Sequence, residues 1–327
     1  EFANGTTFFY EGDRGAEYKV REELASGNTL FYDDGNRKVR EELENGNKLF
    51  FKGEQGSEYK VRNELRNGNK LFFDGDRGAE YLVRNEFANG NKIFFEDEKG
   101  AERMVRAEHA NGTKEFYEGE KGSEYKVRTE YPNGTKYFYE GEEGGAERMV
   151  RTRLWHGVEV FYEGEKGAER KVRAGYPGRA DKSFYEGVQG AERLVRVEMV
   201  YGAAVFYEGE KDSEYKVRTE YPDGQKAFYE GEKDFERHVR TEHPSGDEEF
   251  YEGGGMRERK VRTRLSNGDE EFYEGRRWHE YKVRTRLANG EEVFYEGGEG
   301  SEHKVRMTKS NGEEVFYEGG KGAERMV

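Results

Sequence analysis

The chain has 327 residues, of which 39% are charged, 45 are Gly and none is Cys, with a net charge of −14. Ordinary soluble domains carry about 25% charged residues and ~7% Gly, and here Leu, Ile, Val and Phe together number only 57. This composition excludes a large compact core, a disulfide scaffold, thiol chemistry and Cys-based zinc sites. Disorder is excluded too, because the net charge is modest for the length and the 23 Tyr and 22 Phe are more than disordered chains carry.

From the first aromatic pair onward the chain repeats itself. Phe9-Tyr10, Phe31-Tyr32, Phe50-Phe51, Phe72-Phe73, Phe94-Phe95 and Phe116-Tyr117 begin a series of fifteen that ends at Phe316-Tyr317. The spacing is 22 residues, except 19 once and 23 twice. A Val follows each pair, and Arg follows that Val in the fourteen units that are complete, as in Val20-Arg21 and Val127-Arg128. A period of this length marks a repeat array, so the whole chain, 1–327, is expected to be one array. It begins at Glu1-Phe2 without Met and stops at Val327 in mid-pattern, which reads as a fragment of a longer array. No run of about 18 apolar residues is present to cross a bilayer as a helix. The lack of Cys and of a visible signal sits more naturally with an intracellular chain.

Each unit holds two short runs of period-2 alternation, for example Lys114 to Glu118 and Glu124 to Tyr131. Bounded by Gly-rich turns and rich in Tyr, Phe, Val and Thr, these predict strands. No stretch keeps a 3.6 period for ten residues, so no helix is predicted. Two turns alternate. The short one, Pro132-Asn133-Gly134 or X-Asn-Gly elsewhere, predicts a three-residue hairpin loop, a type I turn closed by a Gly bulge. The long one, Gly119 to Ser123, is expected to absorb length changes. Examples are the insertion at Glu143-Gly144-Gly145 and the loss of three residues after Asp34.

A three-residue loop places residues six apart opposite each other. At one such pair six units read Glu–Lys (Glu42–Lys48, Glu64–Lys70, Glu86–Lys92, Glu108–Lys114, Glu130–Lys136, Glu220–Lys226). Three read the reverse, Arg153–Glu159, Arg264–Glu270 and Arg286–Glu292, and only Glu242–Glu248 opposes like charges. Opposite cross-strand charges contribute roughly 0.2–1 kcal/mol each, so the swap is chiefly a register mark. Extending the register predicts Arg128 opposite Phe138, Val127 opposite Tyr139 and Lys126 opposite Glu140. Across the long loop it predicts Phe116 opposite Arg128, Tyr117 opposite Val127 and Glu118 opposite Lys126.

The expected fold is therefore all-β: an elongated, twisted, single-layer antiparallel meander of about fifteen 22-residue β-hairpin repeats. With ~4.8 Å between strands it would make a ribbon on the order of 140 Å before twist. One face would carry a Phe/Arg row (Arg106, Phe116, Arg128, Phe138) flanked by Glu130 and Lys136. The other, more apolar and concave or partnered, would carry Tyr/Val (Val127, Tyr139), with Leu24, Leu65, Tyr131 and Leu287 near the short turn and Leu49, Ile93 and Val160 before Phe. Arg stems would shield the rings.

The string Tyr117-Glu118-Gly119-Glu120-Lys121-Gly122 resembles the Tyr-x-Gly…Gly core of the MORN repeat, a 23-residue β-hairpin repeat, most closely its antitoxin-type variants with Asn-Gly turns and paired aromatics. Thirteen of fifteen units keep the Gly two after the second aromatic (Gly12, Gly53, Gly141, Gly319), while Asp34 and Asp97 replace it. The aromatic usual two after that Gly is missing, and Val-Arg stands in place of the Gly-x-Gly half. The resemblance implies a single-layer scaffold that dimerises, and some such arrays are linked to membranes.

Recognisable chemistry is sparse. The six His residues (His109, His156, His238, His243, His279, His303) share no repeat position and no metal-ligand spacing. Acidic loops (Asp74, Asp76, Glu140, Glu142, Glu143) lack a recurring calcium pattern. Gly119 to Gly122 lacks the Lys and helix of a phosphate cradle. No catalytic, cofactor or metal residue is predicted, nor a nucleic-acid or membrane partner, since the chain is acidic, pI ≈ 5.2, and binding to phosphates favours basic surfaces. Trp155-His156 in a short turn and Trp278-His279 in a long loop are candidate interaction residues. Asn4-Gly5-Thr6, Asn111-Gly112-Thr113 and Asn133-Gly134-Thr135 match glycosylation acceptors, but the turn generates such strings by itself. The expected function is a non-enzymatic scaffold, spacer or assembly subunit with a regular charged surface. Its partner would be a protein or another copy, engaged through open sheet edges or the Tyr/Val face. The alternative is an array that binds a glycan or cell-wall polymer through its aromatic rows.

Overall fold

A computed structural model describes residues 5–141, 147–178 and 181–327. The insertion Glu143-Gly144-Gly145, the acidic pair Glu142 and Glu143, and Asn4 lie outside the described residues. Among those described, the regular structure is thirty strands and one three-residue 3-10 turn, Gly255–Arg257. The chain divides into two compact units, Glu1–Gly157 with Glu163–Glu169, and Val158–Tyr162 with Arg170–Val327. Each unit is a run of antiparallel hairpins in chain order.

The short turn follows from its residues. In Tyr131 to Thr135 the amide of Gly134 donates to the Tyr131 carbonyl, and the amide of Tyr131 donates to the Thr135 carbonyl, each at 2.9 Å. Gly134 is left-handed at φ +87°, which Gly adopts without steric cost. The swapped charges share the predicted register: Glu130 faces Lys136, Arg264 faces Glu270 and Arg286 faces Glu292. The like-charged Glu242 and Glu248 also face each other. One length change departs from expectation. Gly175 faces Lys182, seven residues on instead of six, so the extra residue of that 23-residue interval sits in the short turn.

The long-turn hairpin corrects the predicted register. Phe116 faces Arg128, but Tyr117 faces Lys126 and Glu118 faces Tyr125. Val127 is the extra residue of a β-bulge and faces neither Tyr117 nor Tyr139. Tyr139 instead faces Met149, beyond another bulge. The same shift falls between Phe50 and Phe51 in the first compact unit and between Phe250 and Tyr251 in the second. Strict alternation cannot anticipate this, because a bulge resets it once per hairpin. Across the short turn only three pairs form, Arg128–Phe138, Thr129–Tyr137 and Glu130–Lys136. The predicted pairs Val127–Tyr139 and Lys126–Glu140 are absent from this ladder.

The bulge moves Lys to the Tyr face. Lys126 Nζ lies 3.2 Å from Glu115 and 5.0 Å from the Tyr139 ring centre, on the side opposite Arg128. Val joins the Phe face: Val39, Val61 and Val83 line one groove with Phe50, Phe72 and Phe94. The second face is thus Tyr/Lys, not Tyr/Val. Burial is thin throughout. Among the described residues the buried side chains are four small apolar ones, Ala203, Val205, Ala227 and Val293, and nine Thr, such as Thr129 and Thr152 at 2% exposure. Most sit on the Tyr face near the short turn, where Thr219 faces Ala227 and Thr285 faces Val293.

Candidate interaction surfaces

On the first face a guanidinium covers fourteen of the fifteen Phe of the repeating row, from Phe9 to Phe294. Arg128 Cζ stands 3.9 Å from the Phe116 ring centre, Arg151 3.9 Å from Phe138 and Arg106 3.9 Å from Phe94. Arg128 therefore leans over the ring across the long turn, although its Cα faces both Phe116 and Phe138. The series runs unbroken from Arg21 over Phe9 to Arg306 over Phe294. Phe316, the last Phe of the row, is 50% exposed. Glu binds the same Arg along its own strand, as Arg128 Nε stands 3.2 Å from Glu130 Oε1, and Lys136 approaches Glu130 to 2.7 Å. The like-charged pair is bridged: the same Nη1 of Arg240 lies 2.9 Å from both Glu242 and Glu248. The Val-lined groove holds about 680 Å³, with Arg62 and Arg84 among its walls.

The second face has a Lys over many aromatic rings, among them Lys216 over Tyr229 at 3.5 Å and Lys60 over Phe73 at 3.9 Å. Three units place Glu where others have Leu or Ile before Phe. Glu115 accepts from the Tyr117 hydroxyl at 2.9 Å and lies 3.1 Å from His109. Burial opposes its ionisation, but hydrogen bonds from His109, Tyr117 and Lys126 hold its pKa below the ordinary carboxylate value. Burial, and then that hydrogen bond, push the Tyr117 phenol well above its usual range. The same arrangement recurs at Glu249, with Tyr251 at 2.6 Å and Lys260 at 3.1 Å. His238 sits between the Tyr229 and Tyr251 rings, at 5.5 and 4.2 Å, in the position that Lys occupies elsewhere. Among the described residues no group of three or more His, Asp or Glu is placed to hold a metal ion.

The Trp residues sit in turns, and Trp278 lines a cleft of about 160 Å³ with Tyr251 and Lys260 of the second face. Trp155 is 71% exposed, with His156 edge-on at 5.1 Å. Trp278 is 74% exposed and left-handed at φ +69°. His279 beside it pairs with Glu299 at 2.7 Å. In the Asn-Gly-Thr strings the Asn side chains serve the turn: Asn111 and Asn133 accept from the amides of Thr113 and Thr135, each at 2.9 Å.

Sequence reasoning missed the contact that joins successive hairpins near their long turns. Because only three pairs form across the short turn, the outer amides of neighbouring hairpins lack a strand partner. A Glu of the next unit supplies one. Glu58 accepts from the Lys38 amide at 3.1 Å and from its own loop at Gly56 at 3.0 Å. Glu124 does the same for Met104 at 3.0 Å and Gly122 at 3.0 Å, and Glu192 for Lys171 at 3.1 Å and Gly190 at 3.0 Å. For Glu58 its own amide, against the cost of desolvation, and then the amides of Lys38 and Gly56 depress the pKa. The signal was present, since Glu stands three residues before Val in every unit except that of Val39, where Asn36 replaces it. Asn36 accepts there from the Lys19 amide at 3.1 Å.

No family model matches the chain, and no curated protein does. Among solved structures it is similar to the TCP10 domain of Danio rerio CPAP in complex with a peptide of Danio rerio STIL, at 10% identity over 95% of this chain and 98% of that one, TM-score 0.15. It is also similar to TcdB2-TccC3, at 10% identity over 98% of this chain and 26% of that one, TM-score 0.18. The Photorhabdus luminescens Tc holotoxin pore matches at 10% identity over 96% of this chain and 22% of that one, TM-score 0.18. The chain spans about a quarter of the toxin chains, and scores this low carry no functional argument.

Proposed function

We propose that the chain is a non-enzymatic, MORN-like structural repeat protein whose charged faces and open strand edges engage a protein partner or further copies of itself. The observation that carries this is the cation over the rings. An array that binds glycans through aromatic rows needs ring faces open to stacking. Here the repeating Phe lie under Arg at 3.7–4.2 Å, and many Tyr lie under Lys. Among the described residues the exposed row aromatics are Tyr10 at 60%, Tyr131 at 39%, Tyr176 at 41% and Phe316 at 50%. Such capping uses the ring faces for stability, since each cation–π contact adds roughly 0.5–1 kcal/mol when exposed. Terminal strands with unpaired backbone groups are templates for strand addition. Titration with soluble cello-, chito- and xylo-oligosaccharides, followed by Tyr fluorescence, is expected to show no saturable change. Light scattering over a concentration series is expected to show association. Saturable sugar binding that is lost when Tyr139 or Tyr229 becomes Ala overturns the scaffold reading in favour of the glycan array.

A further inference from the structure

The long turn places a left-handed Gly five residues before Val, and nine described units keep it, from Gly15 at φ +89° to Gly322 at φ +77°. Four consecutive units of the second compact unit drop it for Asp212, Asp234, Met256 and Trp278. Asp212 and Asp234 adopt φ +66° and Trp278 φ +69°. Met256 forces a different turn, in which Gly255 becomes left-handed. Asp tolerates this region, but for a bulky side chain it is strained by roughly 1–2 kcal/mol. At Trp278 the ring has Arg277 at 4.8 Å and shares a cleft with Tyr251, yet the residue is 74% exposed.

These turns lie side by side. Arg277 Nη1 donates to the Gly255 carbonyl at 3.0 Å, and Arg259 reaches the Gly275 carbonyl at 3.3 Å. Met256 is 92% exposed and Phe235, on the preceding turn, 83%. Charge changes at the same place. The usual turn, such as 119–123, holds one Glu and one Lys, whereas 253–257 holds only Arg257 and 275–279 holds Arg276, Arg277 and His279. Arg257 and Arg276 are exposed. The nearby acids are engaged: Glu252 by Arg259 at 3.5 Å, Glu258 by His238 at 3.4 Å and Glu280 by the Lys260 amide at 3.3 Å. Glu299 pairs with His279 at 2.7 Å, and Glu274 flanks the second turn, while Glu232 and Asp234 lie on the turn of Phe235. The two turns themselves carry Arg257, Arg276 and Arg277 and no acid, on a chain of net charge −14, and two large apolar side chains, Met256 and Trp278, project from them.

We propose that the edge from Gly253 to His279 is a docking site for an acidic peptide segment of a partner protein, with an apolar side chain of that segment seated against Met256 and Trp278. Charge complementarity selects the occupant. Carboxylates meet Arg257 and Arg276, and strain is retained at Trp278 where an exposed anchor is useful. A polyphosphate chain is disfavoured, because the acidic remainder of the protein repels it beyond the patch. The proposal deepens the scaffold reading by naming one partner surface, and its readout is local to Trp278, so it stands or falls whether or not the chain assembles.

The chain has two Trp, so Trp155→Phe leaves Trp278 as sole reporter. The probe is a synthetic twelve-residue peptide of Glu with two central Leu, titrated at low salt. The expected result is a saturable blue shift of Trp278 emission. It should weaken roughly tenfold or more in Arg257→Glu/Arg276→Glu and stay unchanged in Arg77→Glu, at the matching edge of the other unit. Circular dichroism checks that each variant keeps its sheet. The proposal is overturned by any of four results: no saturable shift at millimolar peptide, an equal shift with Lys in place of Glu, tighter binding of oligo(dT), or a shift that depends on protein concentration alone, which assigns the edge to a second copy.

Discussion

The guanidinium carbon of Arg128 lies 3.9 Å above the centre of the Phe116 ring, and its Nε lies 3.2 Å from Glu130. The ring is thus covered by a cation whose charge is answered within its own strand. Repeated along both units, this replaces a second layer of structure. Arg128→Ala removes the cation–π contact and the stem that covers the ring, and about 1–2 kcal/mol of stability is expected to go with it. A double-mutant cycle with Phe116→Leu, read by urea unfolding, should return about 0.5–1 kcal/mol of coupling. A coupling of zero would mean that the stacked geometry contributes nothing beyond area.

The two glycines of one long turn should respond differently. A Cβ on Gly119, at φ +104°, would stand 2.9 Å from the Ser123 carbonyl oxygen and 3.1 Å from the Tyr125 ring. A Cβ on Gly122, at φ +86°, meets nothing within 4 Å. Gly122→Ala carries only the left-handed penalty, about 1–2 kcal/mol. Gly119→Ala adds a backbone clash and should cost about 3 kcal/mol or more. Asp97 holds the equivalent of Gly119 only with a smaller φ of +77° and with Arg103 Nε on its carboxylate at 2.8 Å. Thermal unfolding of both variants checks the order.

The strands, the short turns and the charge register were legible because each has a local cause. Asn-Gly dictates its turn, and Glu130–Lys136 reports the pairing the turn creates. The side assigned to Val127 was not legible. A bulge needs no special residue when its extra position is a Val, so the alternation ran one residue too far and put Lys126 and Val127 on the wrong faces. The Glu124 contact escaped for the opposite reason. Its Glu is plain in the sequence, but its purpose depends on an amide twenty residues away that only the three-pair ladder leaves unpaired. Trp278 was recognisable as unusual, and its left-handed backbone was implied by the Gly122 it replaces.

Acid should loosen the joints between hairpins. The pKa values of Glu58, Glu80 and Glu169 are lowered in the fold, first by their own amides and then, against desolvation, by those of a neighbouring hairpin and their own turn. A depressed folded pKa means that the stabilisation is present above the unfolded value, about 4.3, and is lost as pH falls through the folded one. Loss is therefore expected below about pH 4. Glu58→Gln can accept with one oxygen only and sets an NH2 group against the other donor. Hydrogen exchange at the Lys38 and Gly56 amides should accelerate in this variant at neutral pH, while the equivalent amides of Met104 and Gly122 keep their protection.

Arg240 bridges the like-charged pair Glu242 and Glu248 through one nitrogen, 2.9 Å from each. Arg218 stacks on its own Phe at 4.1 Å but serves a pair already balanced, Glu220 facing Lys226. Arg240→Gln should therefore destabilise by about 1 kcal/mol more than Arg218→Gln, since like charges directly opposite repel. Adding Glu248→Lys to Arg240→Gln should recover most of that difference, and raising the salt should narrow it. Equal losses in the two single variants would remove the bridge from the account.

Glu115 places a charge where other units have Leu49, Leu71 or Ile93. It is held by His109, Tyr117 and Lys126 at 3.1, 2.9 and 3.2 Å. Replacing a partly buried charge network with an apolar group of similar volume is often neutral or stabilising, whereas removing one partner alone is costly. Glu115→Leu should thus change stability by about 1 kcal/mol or less in either direction, while Lys126→Met, which strands the carboxylate, should cost about 1–2 kcal/mol. The phenol supplies an independent readout. The pKa of Tyr117 is raised by burial first and by Glu115 second, so its stabilising contribution is complete below the unfolded phenol value of about 10 and is lost as pH rises through the folded one. In Glu115→Leu the tyrosinate absorbance of this residue should appear at lower pH than in the parent, yet still above the ordinary phenol value of about 10, because the burial remains. A titration unchanged by the substitution would leave burial as the whole cause and free Glu115 of any hold on the ring.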